Sequence, residues 1–123
     1  MGLKEPERPV LPSSDATELV LGRAATEIYD GLPTDVRHRL GYVTGVIGRL
    51  EEDAERLRRQ GETGERLTEA VAALENVRLG LLRLRAGVGS VNDLTGHIER
   101  AQEIGERIDA ELAGRREVRE ALE

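Results

Sequence analysis

Apolar residues recur along this chain at helical spacing. Between Thr34 and Arg59 the positions Val36, Leu40, Val43, Ile47, Leu50, Ala54 and Leu57 fall at alternating steps of four and three. That is a heptad seam, the pattern of helices packed knobs-into-holes. A second seam, Leu67, Ala70, Leu74, Val77, Leu81 and Leu84, predicts a helix from about Glu65 to Arg85. A third stripe, Leu94, Ile98, Ala101, Ile104, Ile108 and Leu112, predicts another, opened by the capping box Ser90-x-x-Asp93. Gln60 to Gly64 and Gly87-Val88-Gly89 are polar or glycine-rich joints between them. A shorter helix is predicted from about Ala16 to Asp30, with Asp15-x-x-Glu18 resembling a capping box. Leu19, Val20, Ala24 and Ile28 are its candidate buried side. Gly31 is placed to end it and Pro33 to start the next helix.

Helices of some twenty residues with short joints must fold back on one another. The expected architecture is therefore all-α: an up-down-up antiparallel bundle of three long helices plus a short N-terminal helix. The expected divisions are a disordered or extended tail over 1–12, a bundle domain over 13–114, and a C-terminal helical or frayed tail over 115–123. Three of the four prolines, Pro6, Pro9 and Pro12, fall in the first of these, and Gly114 marks the start of the last.

Composition supports this and narrows function. The 123 residues include no Phe, Trp or Cys, so the core is built from Leu, Ile, Val and Ala. Disulfides, thiolate metal sites and cysteine nucleophiles are excluded. The net charge of −6 disfavours nucleic acid as a partner, because that binding needs clustered cations. Lys4 is the only lysine among the basic residues, an Arg bias expected of a GC-rich bacterial genome. The longest run without a charge, Leu40 to Gly48, is nine residues, too short to cross a bilayer. With no secretory signal in view, a cytoplasmic setting is expected. The Glu/Arg pairs at i,i+4, such as Glu103 with Arg107, read as helix support on solvated faces.

One feature conflicts with a simple bundle. Gly41, Gly45 and Gly48 form a stripe about 150° from the seam of their own helix, with Tyr42 beside it. Exposed glycines inside a helix cost about 1 kcal/mol each relative to alanine. Leu79 lies about 160° from the seam of the next helix. Two readings fit. The short first helix or the C-terminal tail covers these positions within the chain, or Gly41, Tyr42, Gly45, Gly48 and Leu79 form an interface with a twin subunit or another protein.

Catalytic chemistry finds little to stand on. His38 and His97, preceded by Asp35 and Asp93, invite comparison with carboxylate-histidine metal sites of bundles, but the required set of ligands is incomplete. Ser13, Ser14 and Ser90 read as helix caps. No cofactor, metal or small-molecule substrate is expected.

The segment Leu74-Glu75-Asn76-Val77-Arg78-Leu79-Gly80-Leu81-Leu82-Arg83-Leu84, followed by Gly87 and Leu94-Thr95, resembles helical segments that accompany bacterial serine/threonine protein kinases outside the catalytic domain. None of the kinase motifs is present. The resemblance implies a signalling-associated accessory module and carries no activity or site residues. The expected function is a non-enzymatic, self-associating protein-interaction or assembly module. The alternative is an accessory or regulatory domain that binds a different protein as a monomer, and a remote one is a small metal-dependent bundle enzyme.

Overall fold

The computed structural model of the chain describes residues 16–62 and 64–122, and it is all-α. Five helices follow in order: α1 (Thr17–Asp30), α2 (Thr34–Arg39), α3 (Val43–Arg59), α4 (Glu65–Arg85) and α5 (Val91–Leu122). The predicted capping residue Asp15 and the whole predicted N-terminal tail, 1–12, lie outside the described residues.

The seams form the core as predicted. Leu40, Val43, Ile47, Leu50, Ala54 and Leu57 are buried, as are Leu67, Ala70, Leu74, Val77 and Leu81, and Leu94, Ile98, Ala101, Ile104, Ile108 and Leu112. Val36 and Leu84, at the ends of their seams, are partly covered. The glycine joints act through backbone geometry. Gly61 adopts φ +78°, its N–H donates to Arg58 O, and Glu62 N–H donates to Leu57 O, which closes a Schellman motif on α3. Gly87, at φ +81°, does the same for α4 with Leu84 O, while Val88 donates to Arg83 O. Ser90 Oγ accepts from Asp93 N–H and caps α5.

The helix predicted over Thr34–Arg59 is instead two, broken at Leu40–Tyr42. An unbroken helix would give the Arg37 carbonyl to the Gly41 N–H. In the fold that carbonyl accepts from Leu40 N–H and from the Tyr29 hydroxyl, 2.9 Å away. Arg37 Nε in turn donates to Leu32 O. The end of α1 and the turn after it thus fasten α2 through residues distant from the α2 seam.

α1 also buries a different side from the predicted one. Ile28 is buried as expected, but Leu19 and Val20 are exposed, and Glu18, Gly22 and Ala25 face inward. A second difference is at the other end, where α5 continues through Gly114 for 32 residues, roughly 48 Å. A Cβ added at Gly114 would find nothing within 4 Å, and Arg115 beyond it reaches back to Gln60 and Glu62 at 3.3 Å each.

The layout follows from which side chains meet. α3 and α4 form a central pair. Glu51 and Arg58 of α3 and Leu67 and Val71 of α4 meet α1. Arg49, Asp53 and Arg56 of α3 and Arg66 and Gly80 of α4 meet α5. α1 and α5 therefore lie on opposite sides of the pair. Arg66, early in α4, bonds Glu111, late in α5, whereas Gly80, late in α4, lies against Leu94, early in α5. These two helices run in opposite directions.

Candidate interaction surfaces

The glycine stripe is bare. A Cβ added at Gly45 or Gly48 would find nothing within 4 Å, and at Gly41 it would meet only backbone carbonyls of its own turn, at 3.8 Å. Tyr42, at the start of α3, is 43% exposed beside them. Neither α1 nor the C-terminal part of α5 covers the stripe. The intrachain covering that the sequence allowed is therefore absent among the described residues.

Leu79 is 40% exposed, but it does not join that surface. The seams of α3 and α4 face each other. Residues about 150° from one seam and about 160° from the other look out on opposite sides of the pair. Leu79 instead continues the α4 row Thr68, Ala72 and Glu75, which borders a cleft between α1 and α4. That cleft encloses about 550 Å³ and is lined by Thr17, Leu21, Arg58, Leu67, Thr68, Val71, Ala72 and Glu75. Its walls are mostly apolar. Its two charges are already engaged: Arg58 Nε donates to both oxygens of Glu18 at 3.0 and 2.9 Å, and Arg78 pairs with Glu75 at 2.8 Å. Sequence reasoning missed this cleft because its walls come from three helices, α1, α3 and α4, and its apolar residues are ordinary aliphatics.

Across the bundle, α4 and α5 border a more polar cleft of about 480 Å³ that includes Glu69, Asn76, His97, Arg100 and Arg107. Arg107 leans on Glu69 at 3.7 Å, and His97 lies against Gly80. His38 is exposed on α2 and does not line this cleft. No group of three or more His, Cys, Asp or Glu converges in a metal-holding arrangement among the described residues.

A charged cluster joins α3 to α5. Arg49 Nε and Arg56 donate to Asp109 at 3.0 and 2.7 Å, and Arg56 also bonds Asp53. Asp53 is 1% exposed, and its Oδ2 has no hydrogen-bond partner. Burial, together with the neighbouring Asp109 carboxyl, pushes Asp53 up to about 6. Burial opposes ionisation at Asp109 as well, but Asp53 and the guanidiniums of Arg49 and Arg56 outweigh it and hold its carboxyl below its ordinary value. Gly105 makes room for the cluster, since a Cβ there would sit 3.2 Å from Arg49 Nε.

No helix among the described residues is long and apolar enough to cross a membrane. Comparison with protein-family models, with curated proteins and with solved structures finds no match.

Proposed function

We propose that the chain is a non-enzymatic assembly module that self-associates through the outer face of α3 at Gly45 and Gly48, together with Gly41 and Tyr42 in the turn that leads into it. The observation that carries this reading is the empty space over Gly45 and Gly48. Glycines in a helix are useful where another backbone must approach closely, and these two have no such neighbour in their own chain. A second copy can bring the same bare face to a two-fold axis, with Tyr42 packing at the margin. The scaffold behind the face is read as an up-down-up set of the three long helical stretches, with α1 as a short additional member. The α4–α5 contacts support that order. A cytoplasmic setting and a signalling-associated role belong to the same reading.

Sedimentation of the intact chain and of a Gly45→Glu variant tests it. Because the site is open, the glutamate fits the monomer, so circular dichroism should be unchanged while the dimer is lost. A chain that is monomeric at every concentration removes self-association and leaves the alternative, a module that binds a different protein.

A further inference from the structure

A small polar cavity stands where α5 passes the end of α3, and its lining is rich in hydrogen-bond donors. We infer that it is a binding site for one phosphate-sized oxyanion, free or carried as the phosphoryl group of a small organic molecule. Arg56, Arg116 and Arg119 are the residues that hold it.

The helices place these side chains. Asp109 meets Arg49 and Arg56, and Arg115, further along α5, reaches Gln60, so α3 and α5 run in the same direction. α3 ends at Arg59, whereas α5 continues to Leu122. Arg116 and Arg119 fall within about 80° of Asp109 around the α5 axis, on the side that faces α3. They are carried past its end. With Arg56, Gln60, Asp109 and Leu112 they border a cavity of about 200 Å³.

Donors outnumber acceptors there. The one carboxylate in the lining is engaged at both oxygens: Asp109 Oδ2 accepts from Arg49 at 3.0 Å and Oδ1 from Arg56 at 2.7 Å. Gln60 Oε1 accepts from Arg115 at 3.3 Å, which leaves the amide nitrogen to donate. Arg116 and Arg119 form no ion pair with the described residues. Glu117 and Glu120, exposed on the same helix, do not line the cavity. Three arginines against one aspartate leave a local charge of +2, on a chain whose net charge is −6. Such a concave patch of one sign attracts the opposite ion.

The chemistry selects the ligand class. A guanidinium offers paired N–H groups that match two oxygens of a phosphate. The volume lies below the roughly 300–1,000 Å³ of pockets for whole organic ligands, so it suits a single tetrahedral group and excludes a nucleotide. The carbonyls at the end of α3 would repel an anion, but Gly61 and Glu62 N–H already cover those of Arg58 and Leu57. Bound there, the anion ties the end of α3 to the overhanging turns of α5.

NMR of the full-length chain tests this, with sodium phosphate replacing sodium chloride at constant ionic strength. The Gln60 side-chain amide and the backbone amides around Arg116 and Arg119 should shift and saturate as a single site. Arg116→Gln with Arg119→Gln should weaken phosphate by about tenfold or more, with unchanged circular dichroism. Arg83→Gln with Arg85→Gln removes the same charge from exposed positions on α4 and should leave affinity within about twofold. Glycerol phosphate as a second titrant distinguishes the sources. Tighter binding than phosphate supports a site for the phosphoryl group of an organic molecule, and equal or weaker binding supports one for the free anion. Shifts that fail to saturate, or equal losses in the two double variants, would reduce the cavity to unpaired surface arginines and overturn the inference. Gly45 lies about 22 Å along α3 from Gln60, so the outcome does not rest on self-association.

Discussion

Arg58 on α3 holds Glu18 on α1 through a single Nε, 3.0 and 2.9 Å from the two carboxylate oxygens, and Glu18 is thereby buried to 1% exposure. A carboxylate so placed is costly without its cation. Arg58→Ala should therefore loosen α1 and cost about 2 kcal/mol, less than a fully buried pair because Arg58 itself is partly in solvent. Arg59→Ala, one residue on and exposed, should change stability by no more than roughly 0.5 kcal/mol. Urea unfolding of the two variants makes the comparison, and equal losses would mean the pair does not fasten α1.

The Asp53 cluster predicts an acid-side gain in stability. Asp53 titrates near 6 in the fold and near 3.8 unfolded, so between those values the folded chain holds the extra proton. The stabilisation is complete below about 4 and is lost as pH rises through 6. Arg49 and Arg56 from α3 and Asp109 and Glu106 from α5 make up the charged surroundings. Asp109, held low, works in the opposite direction only below its ordinary value. Unfolding free energy should accordingly fall by on the order of 1–3 kcal/mol from pH 4.5 to pH 7.5. Asp53→Asn should flatten most of that dependence and raise stability at pH 7.5. A carboxyl resonance of Asp53 titrating near 4 would rule the mechanism out.

Two glycines separate open from packed positions. Gly48 has open space around it, so Gly48→Ala should stabilise the monomer by about 1 kcal/mol through helix propensity, while weakening self-association. Gly80 lies against α5, where an added Cβ would stand 2.8 Å from Leu94 Cδ1 in the core. Gly80→Ala should destabilise by about 1–3 kcal/mol. Thermal melts of both variants read the sign directly. A loss at Gly48 would show that the glycine already has a structural role in the monomer.

Much of this fold was legible in the spacing of aliphatics, because the residues that pack α3, α4 and α5 are apolar and regularly placed. α1 was not, for a physical reason. Its inward positions include Glu18, acceptable only because Arg58 arrives from forty residues away, and Gly22, over which the Glu51 carboxyl lies. The most apolar positions nearby, Leu19 and Val20, were left outside. The break at Gly41 was hidden in the same way, since it depends on Tyr29 taking the Arg37 carbonyl. Of the candidate surface, the glycine stripe could be read from the chain. Assigning Leu79 to another side needed the packing of α3 against α4.

The mass of the intact chain in solution bears most directly on assembly through α3. Sedimentation equilibrium across a wide concentration range should give a dimer that Gly45→Glu converts to a monomer with unchanged helicity. A chain that stays monomeric throughout, or a Gly45→Glu variant that dimerises as well as the parent, would contradict it.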